Sequence, residues 1–111
     1  MIIHQHLSPE HWFTFSLFEQ LANIGCDIAR ASRWKKKGNS EYSEQAFERA
    51  LELIDLTVVD PKNRKRLKEI LRVREALIDF FVYDNQYNST DEAWEKYFFA
   101  YSYAAALKRG L

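Results

Sequence analysis

Cysteine, glycine and proline are all scarce in this chain, and each scarcity removes a class of structure. Its single cysteine, Cys26, excludes an internal disulfide and a zinc centre built from several thiolates. Three glycines and two prolines leave little turn material for an all-β fold over 111 residues. Sixteen basic and sixteen acidic residues cancel, so no global field draws the protein to nucleic acid or to an anionic membrane. The longest uncharged run, residues 97–107, is too short to span a bilayer. Nor does the N-terminus show the basic start and apolar core of a secretory signal, and a cytoplasmic location is the expectation.

What is abundant is Ala, Leu, Glu, Lys and Arg, which together favour one all-α domain over residues 1–111 with a single core. The pattern predicts an organising helix over residues 8–38. Ser8 caps it, Pro9 takes its first position, and Leu7 and Trp12 are spaced for a hydrophobic staple. Gly38 ends it after three lysines. Such a helix is about 45 Å long. Phe13, Leu17, Leu21, Ile24, Ile28 and Ala31 form its apolar face, and a column of small residues, Ala22, Gly25, Ala29 and Ser32, runs beside it. Gly25, costly inside a helix, implies a close packing contact or a kink there. Cys26 is expected as a small buried side chain near that column. Residues 1–7 are expected to form a flexible arm.

Three further helices follow. Ser40 caps the second, which should end just before Thr57, Val58 and Val59 because β-branching and Pro61 both oppose it. Asp60 and Pro61 open the third, whose stripe is Leu67, Ile70, Leu71, Leu77, Ile78 and Phe81. Asn88, Ser89 and Thr90 match a glycosylation acceptor but read as a turn and a cap, with Ser89 and Glu92 making a capping box. The fourth helix runs from about Thr90 to Arg109 and stops at Gly110. Short connections give an antiparallel up-down four-helix bundle with a long first helix. Its expected core is Leu17, Leu21, Ile24, Ile28, Phe47, Ile54, Leu71, Leu77, Phe81, Trp94 and Phe98.

Chemistry finds little to stand on. All three histidines, His4, His6 and His11, lie at the N-terminus, without the companion ligands a metal needs or a serine or cysteine motif that would make a nucleophile. A glycine-rich phosphate loop is missing as well. Neither metal, cofactor nor catalytic residue is assigned. Lys62, Arg64, Lys65, Arg66 and Lys68 begin the third helix, where the dipole disfavours positive charge, and offer an alternative role in binding phosphate or nucleic acid. Arg74 interrupts an apolar stripe, so it must pair with a carboxylate, stack on an aromatic or reach the surface along its stem. A structural pair with Asp55 or a glutamate of the second helix is expected, and a functional arginine in a cleft with Arg72 or Asp79 is the alternative. The last helix spreads Trp94, Tyr97, Phe98, Phe99, Tyr101 and Tyr103 around its girth. Together with the small-residue column it suggests a protein-protein contact, most simply a homodimer, through Ala22, Gly25, Ala29, Phe99 and Tyr103.

Two resemblances add to this. Trp34, Gly38, Asn39, Tyr42, Ala46, Phe47, Ala50 and the pair Asp60-Pro61 resemble part of one tetratricopeptide repeat, but a second copy is missing, so they read as convergent helix-turn-helix grammar. In size and helix pattern the whole chain resembles the small four-helix proteins of the HEPN type, often partners of minimal nucleotidyltransferases. Ribonucleases of that family carry an arginine followed at four to six residues by histidine; here no histidine follows any arginine. The resemblance therefore implies at most a non-catalytic bundle, either associated with a nucleotidyltransferase or of another, uncharacterised role.

Overall fold

The computed structural model describes residues 8–110, and every regular element among them is helical. The elements are α1 (Pro9–Phe13), α2 (Leu17–Lys36), α3 (Ser40–Val59), a 3-10 helix (Pro61–Arg66), α4 (Leu67–Phe81) and α5 (Asp91–Lys108). Residues 1–7, including the expected arm and the Leu7 side of the staple, lie outside the described residues.

The predicted first helix is divided. Ser8 caps α1 as expected, its hydroxyl accepting the His11 amide at 3.1 Å. But Ser16 makes a second start. Its hydroxyl accepts the Glu19 amide at 3.1 Å, and the Glu19 carboxylate accepts the Ser16 amide at 2.9 Å. This reciprocal box satisfies two amides that a helix start leaves free, which outweighs continuity through Thr14 and Phe15. The break also removes an overhang: the molecule is 37 Å in its longest dimension, shorter than the unbroken helix.

Other boundaries move for equally local reasons. Gly38 at φ +79° ends α2 and lets the Asn39 amide reach the Trp34 carbonyl at 2.9 Å. Asn39, rather than Ser40, then caps α3 by accepting the Tyr42 amide. Helix α3 does not stop before Thr57; it continues to Val59, because the Thr57 hydroxyl donates back to the Leu53 carbonyl at 2.7 Å and packing holds the β-branched run helical. Asp60 does cap the next segment, but that segment is 3-10 for six residues before α4 begins. The expected Ser89 box is absent because Ser89 is held by Asn85, with bonds of 2.8 and 2.9 Å, and Thr90 caps α5 instead.

Helix α2 lies between α3 and α5, α4 packs on α3, and α1 lies against α3. Leu21, Ile24, Ile28, Phe47, Ile54, Leu77, Trp94 and Phe98 are buried as predicted, with Trp12 and Ile70 beside them. Leu17 and Phe81 are only half-buried, and Leu71 is exposed. The reason for Leu71 is that α4 turns Ile70, Val73 and Leu77 inward and meets α3 on one side only. Cys26 is likewise exposed, since Ile24 and Ile28 occupy the inward face of α2.

Gly25 is a contact position inside an unbroken helix. A Cβ there would stand 2.5 Å from the Cβ of Phe98, so α5 approaches α2 as closely as a glycine permits. Alanine would gain roughly 1 kcal/mol of helix propensity, but overpacking against a side-chain root costs about 1–3 kcal/mol. Gly25→Ala is therefore expected to lower stability by about 0–2 kcal/mol in urea unfolding. A variant more stable than the parent by about 1 kcal/mol, the full propensity gain, would contradict the close approach.

Candidate functional site

The small-residue column and α5 meet along a groove of about 260 Å³, lined by Ala22, Gly25, Ala29, Ser32, Trp94 and Phe99 among others. Lys36 and Asp91 pair at 3.4 Å on its rim, and a second pair joining α2 to the end of α5, Arg109 to Glu19 at 3.7 Å, lies outside its lining. Four of the five residues nominated as a contact surface, Ala22, Gly25, Ala29 and Phe99, thus share one groove. Tyr103 lies just beyond it, its ring stacked on Phe99 with centroids 6.4 Å apart. Phe99 and Tyr103 are 67% and 55% exposed. Gly25, however, is already covered by Phe98 of the same chain, so the closest approach in the column is spent within the fold.

The basic segment does not form one uniform patch. The Lys62 ammonium donates to the Phe13 carbonyl at 3.0 Å and pairs with Asp60. Arg66 donates to Glu69 and to the Tyr101 hydroxyl. Of the five residues of this segment, Arg64, Lys65 and Lys68 are exposed without an ion pair among the described residues.

Two polar clusters escaped the sequence reading. In the first, the fully buried Gln20 donates to Asp60 at 2.9 Å and to the Trp12 carbonyl at 3.1 Å, and accepts from Asn63 at 2.9 Å. Asn63 also donates to the Thr57 carbonyl, and Trp12 Nε1 donates to the Thr57 hydroxyl at 3.0 Å. A signal existed: Gln20 stands on the stripe between Leu17 and Leu21, where a polar group needs internal partners. In the second, Glu69 accepts the hydroxyls of Tyr97 at 2.8 Å and Tyr101 at 2.5 Å, joining α4 to α5. The four-residue spacing of those tyrosines put them on one face, but nothing local marked Glu69 as their partner.

Both clusters hold charge fixed. Burial pushes the Asp60 carboxyl up, but hydrogen bonds from Lys62 and Gln20 overcome it and leave it below the usual range. Glu69 behaves likewise, with burial opposed by the two tyrosines and Arg66. Tyr97 is pushed far above its usual value, chiefly by burial, so it remains a donor. These are mutually satisfied groups whose donors and acceptors face one another. Among the described residues no group of three or more metal-ligating side chains comes together, and no helix is long and apolar enough to cross a membrane.

Arg74 finds the predicted Asp55, with Nε 2.9 Å from Oδ1. The environment differs from the expectation: the side chains are 35% and 59% exposed, so this is a surface pair and not a buried one. Its cause is the one-sided packing of α4, which leaves the stripe position of Arg74 at the edge of α3. Compared with family models, curated proteins and solved structures, the chain matches none.

Two predictions follow from these charges. Because the folded Asp60 carboxyl ionises below its unfolded value, near 3.8, its stabilisation is complete above that pH and is lost as pH falls through the lower folded value. Asp60→Asn should flatten the acid limb of a thermal-stability profile below about pH 4; an unchanged limb would remove Asp60 from that role. Arg74→Met and Asp55→Asn should each change unfolding free energy by only about 0.2–1 kcal/mol, and a loss of 3 kcal/mol or more would restore the buried-pair reading.

Proposed function

We propose that this protein is a non-catalytic helical interaction module that works as a homodimer in the cytoplasm, with α2 to α5 acting as an antiparallel bundle that displays its contact surfaces. One observation carries the reading. Leu71, Val82, Tyr83, Tyr87, Phe99, Tyr103 and Leu107 remain exposed on α4, the following loop and α5, more large apolar side chains than the fold needs. The Phe99 and Tyr103 face beside the α2 groove is the surface for a second protein, and the HEPN resemblance makes a nucleotidyltransferase the class to try. The fixed polar clusters support a scaffold role, since their groups face one another instead of a reacting centre.

Sedimentation equilibrium checks the self-association: a dimer mass is expected, and a monomer at every concentration overturns it. Replacing Phe99 and Tyr103 together by serine should leave helicity and melting temperature unchanged, because neither is buried, while abolishing retention of a nucleotidyltransferase partner. Retention equal to that of the parent would remove α5 from the partner surface.

A further inference from the structure

The charges on the outward face of α4 run against its own dipole. The exposed charged residues without an ion pair in the N-terminal half and the turn before it are Arg64, Lys65, Lys68 and Arg72, whereas the C-terminal half carries Glu75 and Asp79, with Asp84 just beyond. A helix N-terminus favours negative side chains and a C-terminus positive ones, so this order opposes local stability. The one acidic residue of the first turn, Glu69, is turned toward Arg66, Tyr97 and Tyr101 and does not offset the outer row. Exposed Leu71 stands beside the basic half and half-buried Ile78 beside the acidic one, and the acidic half borders a groove of about 660 Å³ rimmed by Glu75, Asp79, Asp84, Tyr83 and Tyr87, with Arg74 at its edge paired to Asp55.

We infer that α4 is the self-association surface, pairing antiparallel with α4 of a second copy about a two-fold axis near residues 73 and 74. This rests on the homodimer reading and deepens it by naming the face. An isologous contact must be complementary to itself, and a row that is basic at one end and acidic at the other meets that condition only when the two helices run in opposite directions. The register sets Arg72 opposite Glu75 of the second copy and Lys68 opposite its Asp79. It lays the Lys65 and Lys68 stems along the acidic groove and brings the two Leu71 side chains to the axis region. Asp79 also accepts the Gln86 and Tyr87 amides, and Glu75 the Tyr87 hydroxyl, which holds the groove wall in place for this contact. The basic half of the row gains nothing from its own helix dipole, and the row as a whole complements itself in a dimer.

Mixing two charge variants tests the arrangement, because it separates contacts between chains from contacts within one. Arg72→Glu alone and Glu75→Arg alone should each weaken the dimer about tenfold, each creating like-charge pairs at both symmetry-related sites. An equimolar mixture of the two should associate as a heterodimer with near-parental affinity, since every inter-chain pair is then opposite in sign. Circular dichroism of the separate variants should match the parent. If both variants dimerise like the parent, or the mixture gains nothing, α4 is not the interface, while self-association stands on the parental sedimentation result. A monomeric parent overturns the homodimer itself and this inference with it.

Discussion

The buried amide of Gln20 is the constraint on which the rest of the structure depends. It lies fully inside, on the first turn of α2, and holds the end of α1, the Asp60 cap and Asn63 at once. Each of those partners is itself buried or committed, so removing one strands another, and a stranded buried polar group costs about 1–3 kcal/mol. Three chain segments distant in sequence are thereby fixed in direction: α1 folds back on α3, the chain leaves α3 at Asp60, and the 3-10 helix is placed beneath Trp12. Apolar packing alone tolerates sliding, whereas this set of donors and acceptors accepts one arrangement.

The second polar cluster does similar work at lower cost, because it is closer to solvent. Glu69 and Arg66 on one side and Tyr97 and Tyr101 on the other tie α4 to α5, two helices whose backbones otherwise stay apart. With α2 central, α4 rests on α3 through Ile70, Val73 and Leu77 and is tied to α5 by side-chain bonds. That leaves the far side of α4 uncovered, which is why Leu71 and Arg74, placed inside by their spacing, stand at the surface.

Helix existence was legible because 3.6-residue periodicity reports which face is buried without reference to any distant residue. Leu21, Ile24, Phe47, Leu77 and Trp94 were found that way. Boundaries were legible only where one signal acted alone, as at Gly38 and Asp60. At Ser16 two signals competed, an uninterrupted stripe and a capping box, and the box prevailed. At Thr57 a weak propensity was overruled by burial and by bonds to Leu53 and to Trp12, the latter 45 residues away. The Ala22, Gly25, Ala29 and Phe99 grouping could be read because close packing demands small side chains. Phe98 was read as inward and Phe99 as outward, but that Phe98 seats on Gly25 in particular was not legible, since periodicity does not say which residues of two helices meet.

The placement of α2 between α3 and α5 has a temporal consequence. Helix α3 follows α2 directly in the chain and can cover its stripe as soon as both have been synthesised. The other flank, where Phe98 seats on Gly25, must wait for the last helix to emerge. Until then a nascent chain presents the small-residue column to whatever holds unfinished proteins, and translation must reach α5 before that flank closes.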